Sequence, residues 1–397
     1  MRSGPRRRTA TAEQTLLSAL RAYLDAETAR DPQVNGAALL ASPQLLRHAE
    51  EERVAPLLYA LTRTLEVPAP VAARLRSAWL AFGRQHLLGV AALRALLDAF
   101  EGVSIPVIPL KGPALGEALY AEPGLRPFTD LDLLVHRADV PRAIELLATL
   151  GYGPLEYERP LAYDLAYATA ACFVPAEPQP DRFPIDLHWN LVSFVAGNTP
   201  ATLDAEEVWT RAVADARWGR RVLALGREDL LLYLALHLAV HHPLEGLAWQ
   251  LDLALLLRRE DGIDWDEVVA RANRWRLRSA VYFALKRVED RFSAGVPRAA
   301  LSRLRPRGPR GAWLDRLVRL DEPSAWLDHL IAVLLMDRPS DLVRALAAGA
   351  LPRPGWVRLR YPSASTARSY AIHYRRLAAV GVRTTRALLG KKKRPNP

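Results

Sequence analysis

Cysteine is nearly absent from this chain of 397 residues, which contains one Cys and two Met. A single cysteine, Cys172, cannot form a disulfide within the chain. The sequence therefore excludes a disulfide-stabilised scaffold and fits a reducing compartment such as the cytoplasm. Cys172 stands between Ala171 and Phe173 in an apolar run. This setting predicts a buried, inert thiol and not a nucleophile.

Long hydrophobic runs are also missing. A membrane-spanning helix needs about 20 consecutive apolar residues, whereas the most apolar segment, 230–240, is shorter and contains His237. The arginine-rich N-terminus leads into an amphipathic stretch, so no signal peptide is apparent. We therefore predict a cytoplasmic protein with no membrane partner.

Positive charge is abundant, but most of the excess lies at the two ends of the chain. The formal net charge is +11, and it falls to +3 without eight terminal basic residues, which are Arg2, Arg6, Arg7, Arg8, Lys391, Lys392, Lys393 and Arg394. We expect two disordered basic tails, 1–9 and 390–397, that bind nucleic acid at most weakly. A nucleic-acid-binding protein is accordingly the least favoured of three hypotheses.

The segment 105–152 has a strand–helix–strand–helix pattern. It begins with an apolar run at 105–110 and a helical stretch at 114–121. A run that alternates acidic and apolar residues follows at 129–135, and a second helical stretch at 140–150. The change between a period of two and a helical period predicts two strands with a helix between them.

Two carboxylates mark the second of these strands. Because successive side chains of a strand point to opposite faces, Asp130 and Asp132 are expected on one face. Two close carboxylates repel each other unless a cation lies between them. Oxygen ligands of this kind suit Mg²⁺. The alternative is a solvated strand end, although Asp is uncommon within strands.

The motifs taken together resemble the nucleotidyltransferase superfamily of the DNA polymerase beta type. Within it, they are similar to an uncharacterised nucleotidyltransferase family often met in bacterial biosynthetic gene clusters. The likeness runs over most of the chain, from about His48 to about Tyr370. Its motif segments are Leu110-Lys111-Gly112, Arg126, Asp130-Leu131-Asp132, Gly151-Tyr152 and Asp186-Leu187-His188-Trp189.

The resemblance implies an α+β fold, in which a small mixed nucleotidyltransferase sheet is embedded in helical regions. It also implies Mg²⁺-dependent transfer of a nucleoside monophosphate from an NTP to an unknown small-molecule or peptide acceptor, with release of pyrophosphate. The implied catalytic and metal-binding carboxylates are Asp130, Asp132 and Asp186, which would hold two Mg²⁺ ions. For Asp186, a structural aspartate at a strand end remains the alternative.

Substrate contacts are implied for Lys111, Gly112, Arg126 and His188. Lysine is rare in this chain, so a Lys at a strand end suggests a need for a compact ammonium group beside a phosphate or a metal-site carboxylate. The superfamily usually has Gly-Ser or Gly-Gly where this sequence has Gly112-Pro113. The serine hydroxyl that would hold a phosphate is therefore missing, and Lys111 is the expected substitute. A structural role for His188 remains open.

Helical periodicity flanks the core on both sides. We predict a helical N-terminal region at 10–101, a catalytic core at 102–195 and a helical C-terminal region at 196–389. Two further strands, joined by a hairpin, are expected at 166–174 and 183–189. We also expect a linker at 302–311 and a turn at 358–363.

Two histidines in the C-terminal region, His237 and His241, have the i, i+4 spacing of some zinc sites. No other Cys or His at ligand spacing supports zinc, so we do not predict it. By resemblance, this His run and Asp252 would line the substrate side of the cleft. A non-catalytic nucleotide- or partner-binding module that retains the fold remains the second functional hypothesis.

Overall fold

Helices dominate the computed structural model, which also contains a small mixed sheet. The α+β class expected from the sequence is confirmed. The structure describes residues 5–27, 43–61, 67–122, 124–156, 159–192, 203–259, 262–318 and 334–390.

Four described helices precede the sheet. They are α1 (Pro5–Glu27), α2 (Pro43–Glu51), α3 (Ala55–Leu61) and α4 (Ala69–Gly102). Helix α1 begins at Pro5, and the disordered tail expected at 1–9 stays a prediction. The predicted C-terminal tail lies outside the described residues, except for Gly390. The domain boundaries themselves stay predictions.

The central unit alternates short strands and helices. Its elements in chain order are β1 (Ile108–Pro109), α5 (Gly112–Leu119), β2 (Leu131–Leu134), α6 (Val140–Thr149), β3 (Tyr152–Pro154), α7 (Leu161–Tyr167), β4 (Ala170–Pro175) and β5 (Ile185–His188). The spatial order of the strands is β1-β2-β5-β4-β3. The β2–β5 pair is parallel and the other pairs are antiparallel.

Strand register places polar side chains in a row across the sheet. Asp132 on β2 is the partner of Asp186 on β5, and Asp186 is the partner of Cys172 on β4. The leucines on either side of Asp132 are buried in a core that also includes Leu97 and Phe100 of α4. Apolar packing on that side therefore fixes which residues the other side presents.

Helices return after β5, together with a short hairpin. The described elements are α8 (Ala205–Trp209), β6 (Val213–Ala214), β7 (Leu223–Ala224), α9 (Arg227–Leu236), a π-helix (His237–His241), α10 (Leu247–Arg259), α11 (Trp265–Arg274), α12 (Arg278–Phe292), α13 (Arg298–Leu304), α14 (Gly308–Val318), α15 (Pro339–Ala350), α16 (Pro354–Arg360) and α17 (Thr366–Gly390). The β6–β7 hairpin interrupts a region that was expected to be helical throughout.

Three local predictions were wrong in extent. Residues 166 and 167 end helix α7 and do not begin a strand, because the segment after Pro160 is rich in the strong helix formers Leu and Ala. Most of the predicted linker 302–311 is helical and belongs to α13 and α14. The predicted turn at 358–363 begins only after Arg360, where α16 ends.

No helix within the described ranges is both long enough and apolar enough to cross a bilayer.

The central strand β5 offers a test of the core. Leu187 has 0% of its surface exposed, so Leu187→Ala should lower the free energy of unfolding by about 2–5 kcal/mol. Leu155→Ala, at a site that is 48% exposed, is the control and should change it little. Urea unfolding measures both. Equal destabilisation by the two variants would contradict this position of the core.

Candidate active site

Three polar side chains converge at the β2–β5 pair. Asp132, Asp186 and His188 each offer one ligand atom, and these atoms lie within 4.8 Å of one another. The parallel register brings Asp186 beside Asp132, and the period of two along β5 puts His188 on the same side as Asp186. Among the described residues, this is the one group of three or more such side chains that can hold a metal ion.

Asp132 is buried but not unpaired. Lys111 Nζ lies 2.9 Å from its Oδ1 atom, and His188 Nε2 lies 3.1 Å from the same oxygen. Burial acts to raise the pKa of Asp132, but Lys111 and His188 outweigh it and hold that pKa well below its usual range. The Lys111 ammonium group thus supplies part of the positive charge that the neighbouring carboxylates were expected to need.

Asp130 has a different electrostatic setting. It immediately precedes β2 and is not part of the group that Asp132 forms with Asp186 and His188. Burial, and then the neighbouring charge of Asp132, raises the pKa of Asp130 from 3.8 to about 6. The repulsion between carboxylates that the sequence predicts therefore raises the pKa of Asp130, whereas the pKa of Asp132 is lowered.

The turn at Gly112 holds this arrangement together. Gly112 has φ +60°, and a Cβ atom there would lie 3.1 Å from the carbonyl oxygen of Asp130. A side chain at this position would be strained, both by the left-handed backbone and by the contact. Glycine therefore allows the chain after β1 to approach the start of β2 and place Lys111 next to Asp132.

A histidine cluster lies on the other side of Lys111. The π-helix ends with the His242 N–H donating to the His237 carbonyl at 3.3 Å, one residue further along than in an α-helix. His237 Nε2 lies 3.5 Å from Lys111 Nζ and 3.1 Å from His242 Nε2. The predicted pair His237 and His241 is therefore a triplet with His242, which the sequence reading missed. The signal in the sequence was the adjacent pair His241-His242, whereas the π-helix that brings His242 to His237 is visible only in the structure.

A family model described as an uncharacterised nucleotidyltransferase matches residues 41–293, more than half of the chain. The chain belongs to this uncharacterised nucleotidyltransferase family. The match includes the sheet, the acidic cluster and the histidine cluster. No curated protein matches the sequence.

In this family member, Arg126 is part of a buried ion pair. Its Nε and Nη2 atoms donate to the two carboxylate oxygens of Asp252 on α10, at 2.8 and 2.9 Å. Its Nη1 atom donates to the Gly112 carbonyl at 3.3 Å, and the Tyr120 hydroxyl donates to Asp252 at 2.8 Å. Arg126 therefore links the Gly112 turn to the C-terminal helices, and its expected contact with a phosphate stays a prediction.

Cys172 shares the sheet face with the acidic cluster but does not add a reactive group. Burial, and then the nearby Asp186 carboxylate, raises the pKa of its thiol. A protonated thiol is a poor nucleophile. The side chain is half-buried, which is less than the sequence suggested, yet the expectation of an inert thiol agrees with this pKa.

The Asp130 pKa gives a prediction about stability and pH. Since its folded-state pKa is raised, Asp130 favours folding below about pH 4, and this contribution is lost as the pH rises through about 6. Without divalent cations, Asp130→Asn should therefore be more stable than the unmodified chain at pH 7, by roughly 2–3 kcal/mol at most. The difference should shrink toward pH 4.

Urea unfolding in EDTA at pH 4 to 7.5 measures this difference. Asp98→Asn, on an exposed face of α4, is the matched control. A stability difference for Asp130→Asn that does not change with pH would contradict the assignment.

The Arg126–Asp252 pair gives a second prediction for this site. Asp252→Asn leaves a buried guanidinium without its counter-charge and should lower the free energy of unfolding by about 3–5 kcal/mol. The double variant Arg126→Met with Asp252→Leu should recover much of that loss, because neither charge then remains buried.

The control for this prediction is Glu50→Gln, which removes the exposed Glu50–Arg74 pair of 2.7 Å. It should cost less than about 1 kcal/mol. Thermal or urea unfolding compares the variants. If Asp252→Asn cost no more than Glu50→Gln, the buried pair would not brace the Gly112 turn.

Proposed function

We propose that this chain transfers a nucleoside monophosphate from an NTP to a small-molecule or peptide acceptor, in a Mg²⁺-dependent reaction that releases pyrophosphate. The observation that carries the proposal is the register of Asp132 with Asp186 on adjacent parallel strands, in a chain of a nucleotidyltransferase family. The identity of the NTP and the association with a biosynthetic gene cluster stay predictions.

The donor set fits Mg²⁺. Carboxylate oxygens are the side-chain ligands that this ion prefers, and Asp132 is held ionised by Lys111 and His188. Asp130 adds a third carboxylate, whose raised pKa a cation would lower. When bound, Mg²⁺ would supply positive charge that neutralises the phosphate oxygens and stabilises charge in the transition state. Two ions, as the resemblance implies, remain part of the proposal.

The reaction itself is a displacement at the α-phosphorus. The acceptor oxygen forms a new bond to that phosphorus, and the bond from phosphorus to the α–β bridging oxygen breaks. The electron pair of that bond leaves with pyrophosphate. Asp186 would accept the proton of the acceptor hydroxyl as general base, since it is the carboxylate of the cluster that Lys111 does not pair.

Lys111 and His188 would compensate the charge of Asp132 and orient its carboxylate. Both contact Oδ1 of Asp132, so they fix the direction in which its second oxygen points. The Lys111 ammonium has further N–H donors. These can donate to phosphate oxygens in place of the serine hydroxyl that is usual in the superfamily. The Gly112 turn would keep that ammonium beside the carboxylates.

The proposal predicts that Mg²⁺ with an NTP raises the melting temperature, because a ligand that binds the folded state stabilises it. Asp186→Asn should keep the fold but lower nucleotidyl transfer on the order of 10²-fold or more. Asp181→Asn, an exposed position in the same β4–β5 hairpin, is the matched control and should keep full activity.

Transfer is measured with NTPs labelled at the α- or the γ-phosphate, offered together with candidate acceptors. Label from the α-position in the acceptor supports nucleotidyl transfer, whereas label from the γ-position would show phosphoryl transfer. Binding of Mg²⁺–NTP without any transfer would favour the non-catalytic module. An Asp186→Asn protein with full activity would remove Asp186 from the site.

A further inference from the structure

The histidines in the described part of the chain fall into two groups by the atoms that they face. Within the described residues, five histidines lie against a carboxylate or a carbonyl oxygen, namely His48, His86, His136, His188 and His373. His237, His241 and His242 have no such acceptor in the described part of the chain. Their neighbours are Lys111 and one another.

The π-helix creates this second group. Its wider turn puts His242 beside His237, whose ring lies 5.2 Å from that of His241. Trp249 of α10 stacks on the His242 ring at 3.4 Å between centroids and 14° between planes. The cluster is thus held in a fixed arrangement from two sides, and His237 lies next to the same Lys111 ammonium that contacts Asp132.

Apart from the contact between His237 and His242, the N–H groups of these three rings face no protein acceptor among the described residues. Burial, Lys111 and the neighbouring histidines lower the pKa of His242 to about 3 and that of His237 well below its ordinary value. Although part of His241 reaches solvent, the surrounding protein and Lys111 lower its pKa to about 4. At neutral pH each ring is uncharged and carries one N–H group.

One of these N–H groups lies between His237 and His242, so two remain for a ligand. They stand beside an ammonium group that has three donors and contacts one carboxylate. The His237 ring nitrogen that could accept already faces Lys111 and His242. A surface that combines an ammonium group with imidazole N–H donors suits an anion.

We propose that Lys111, His237, His241 and His242 bind the pyrophosphate portion of the NTP. The inference rests on the proposed nucleotidyl transfer, since it assigns a place to the group that leaves. Lys111 joins the two halves of the site, because it contacts Asp132 on one side and His237 on the other. Donors at this position would stabilise the charge that grows on pyrophosphate as its bond to the α-phosphorus breaks.

The same donors would compensate for the missing serine after Gly112. The sequence has Pro113 at that place, so neither a hydroxyl nor a backbone N–H is available from this residue. The histidine cluster would supply phosphate contacts from the helical region instead of from the loop after β1.

Binding of three probes tests the inference, each in the presence of Mg²⁺: pyrophosphate, a nucleoside monophosphate and a non-hydrolysable NTP analogue. Isothermal titration calorimetry should show that His241→Asn weakens pyrophosphate and analogue binding by roughly tenfold or more, the loss of one hydrogen bond to a charged group. Monophosphate binding should be unchanged. His48→Asn, whose ring faces Glu51 and not the cluster, is the matched control and should bind all three as the unmodified chain does.

Three outcomes would overturn the inference. They are unchanged pyrophosphate binding by His241→Asn, an equal loss for pyrophosphate and monophosphate, and no pyrophosphate binding by the unmodified chain at millimolar concentration. An effect of His241→Asn on acceptor binding alone would assign the cluster to the acceptor. If the unmodified chain binds pyrophosphate but neither nucleotide, the proposed function fails while the anion site stands.

A second measurement does not depend on any variant. In the unmodified chain labelled with ¹⁵N-histidine, pyrophosphate should shift the imidazole signals of the cluster, and the monophosphate should not. Imidazole signals that do not respond to saturating pyrophosphate would contradict the inference even if His241→Asn failed to fold.

Discussion

The contact between Lys111 and Asp132 is the interaction on which the site depends. A carboxylate as deeply buried as Asp132 is costly in the charged state unless a cation and hydrogen bonds compensate it. Lys111 and His188 provide that compensation. The contact requires the chain to turn sharply after β1, which in turn requires the left-handed conformation that Gly112 supplies.

The helical C-terminal region takes part in the site and is not only a support for the sheet. Asp252 of α10 binds Arg126, and Arg126 reaches the carbonyl of Gly112. The π-helix brings His237 to the opposite side of the Lys111 ammonium. Lys111 and Gly112 are therefore held by separate helices. A buried ion pair such as Arg126–Asp252 contributes more to the geometry of the site than to net stability.

The chemistry-bearing residues of the sheet could be read from the sequence because a strand has a period of two. Alternation around Asp132 predicted that it faces away from the apolar core, and the resemblance to the nucleotidyltransferase family implied that Asp186 joins it. The helical regions were less well predicted. Segments such as 302–311, rich in Arg, Pro and Gly, have a linker-like composition, yet tertiary packing makes most of that segment helical.

The sequence by itself determined the α+β class and the nucleotidyltransferase family, because its motifs carry the resemblance to that family. Only the tertiary structure decided which charges compensate one another. The structure pairs Arg126 with Asp252, and it is the pKa of Asp130, not that of Asp132, that is raised. The first outcome depends on a contact between residues 126 positions apart, and the second on burial and on the charge of Asp132. Local periodicity encodes neither long-range contacts nor burial.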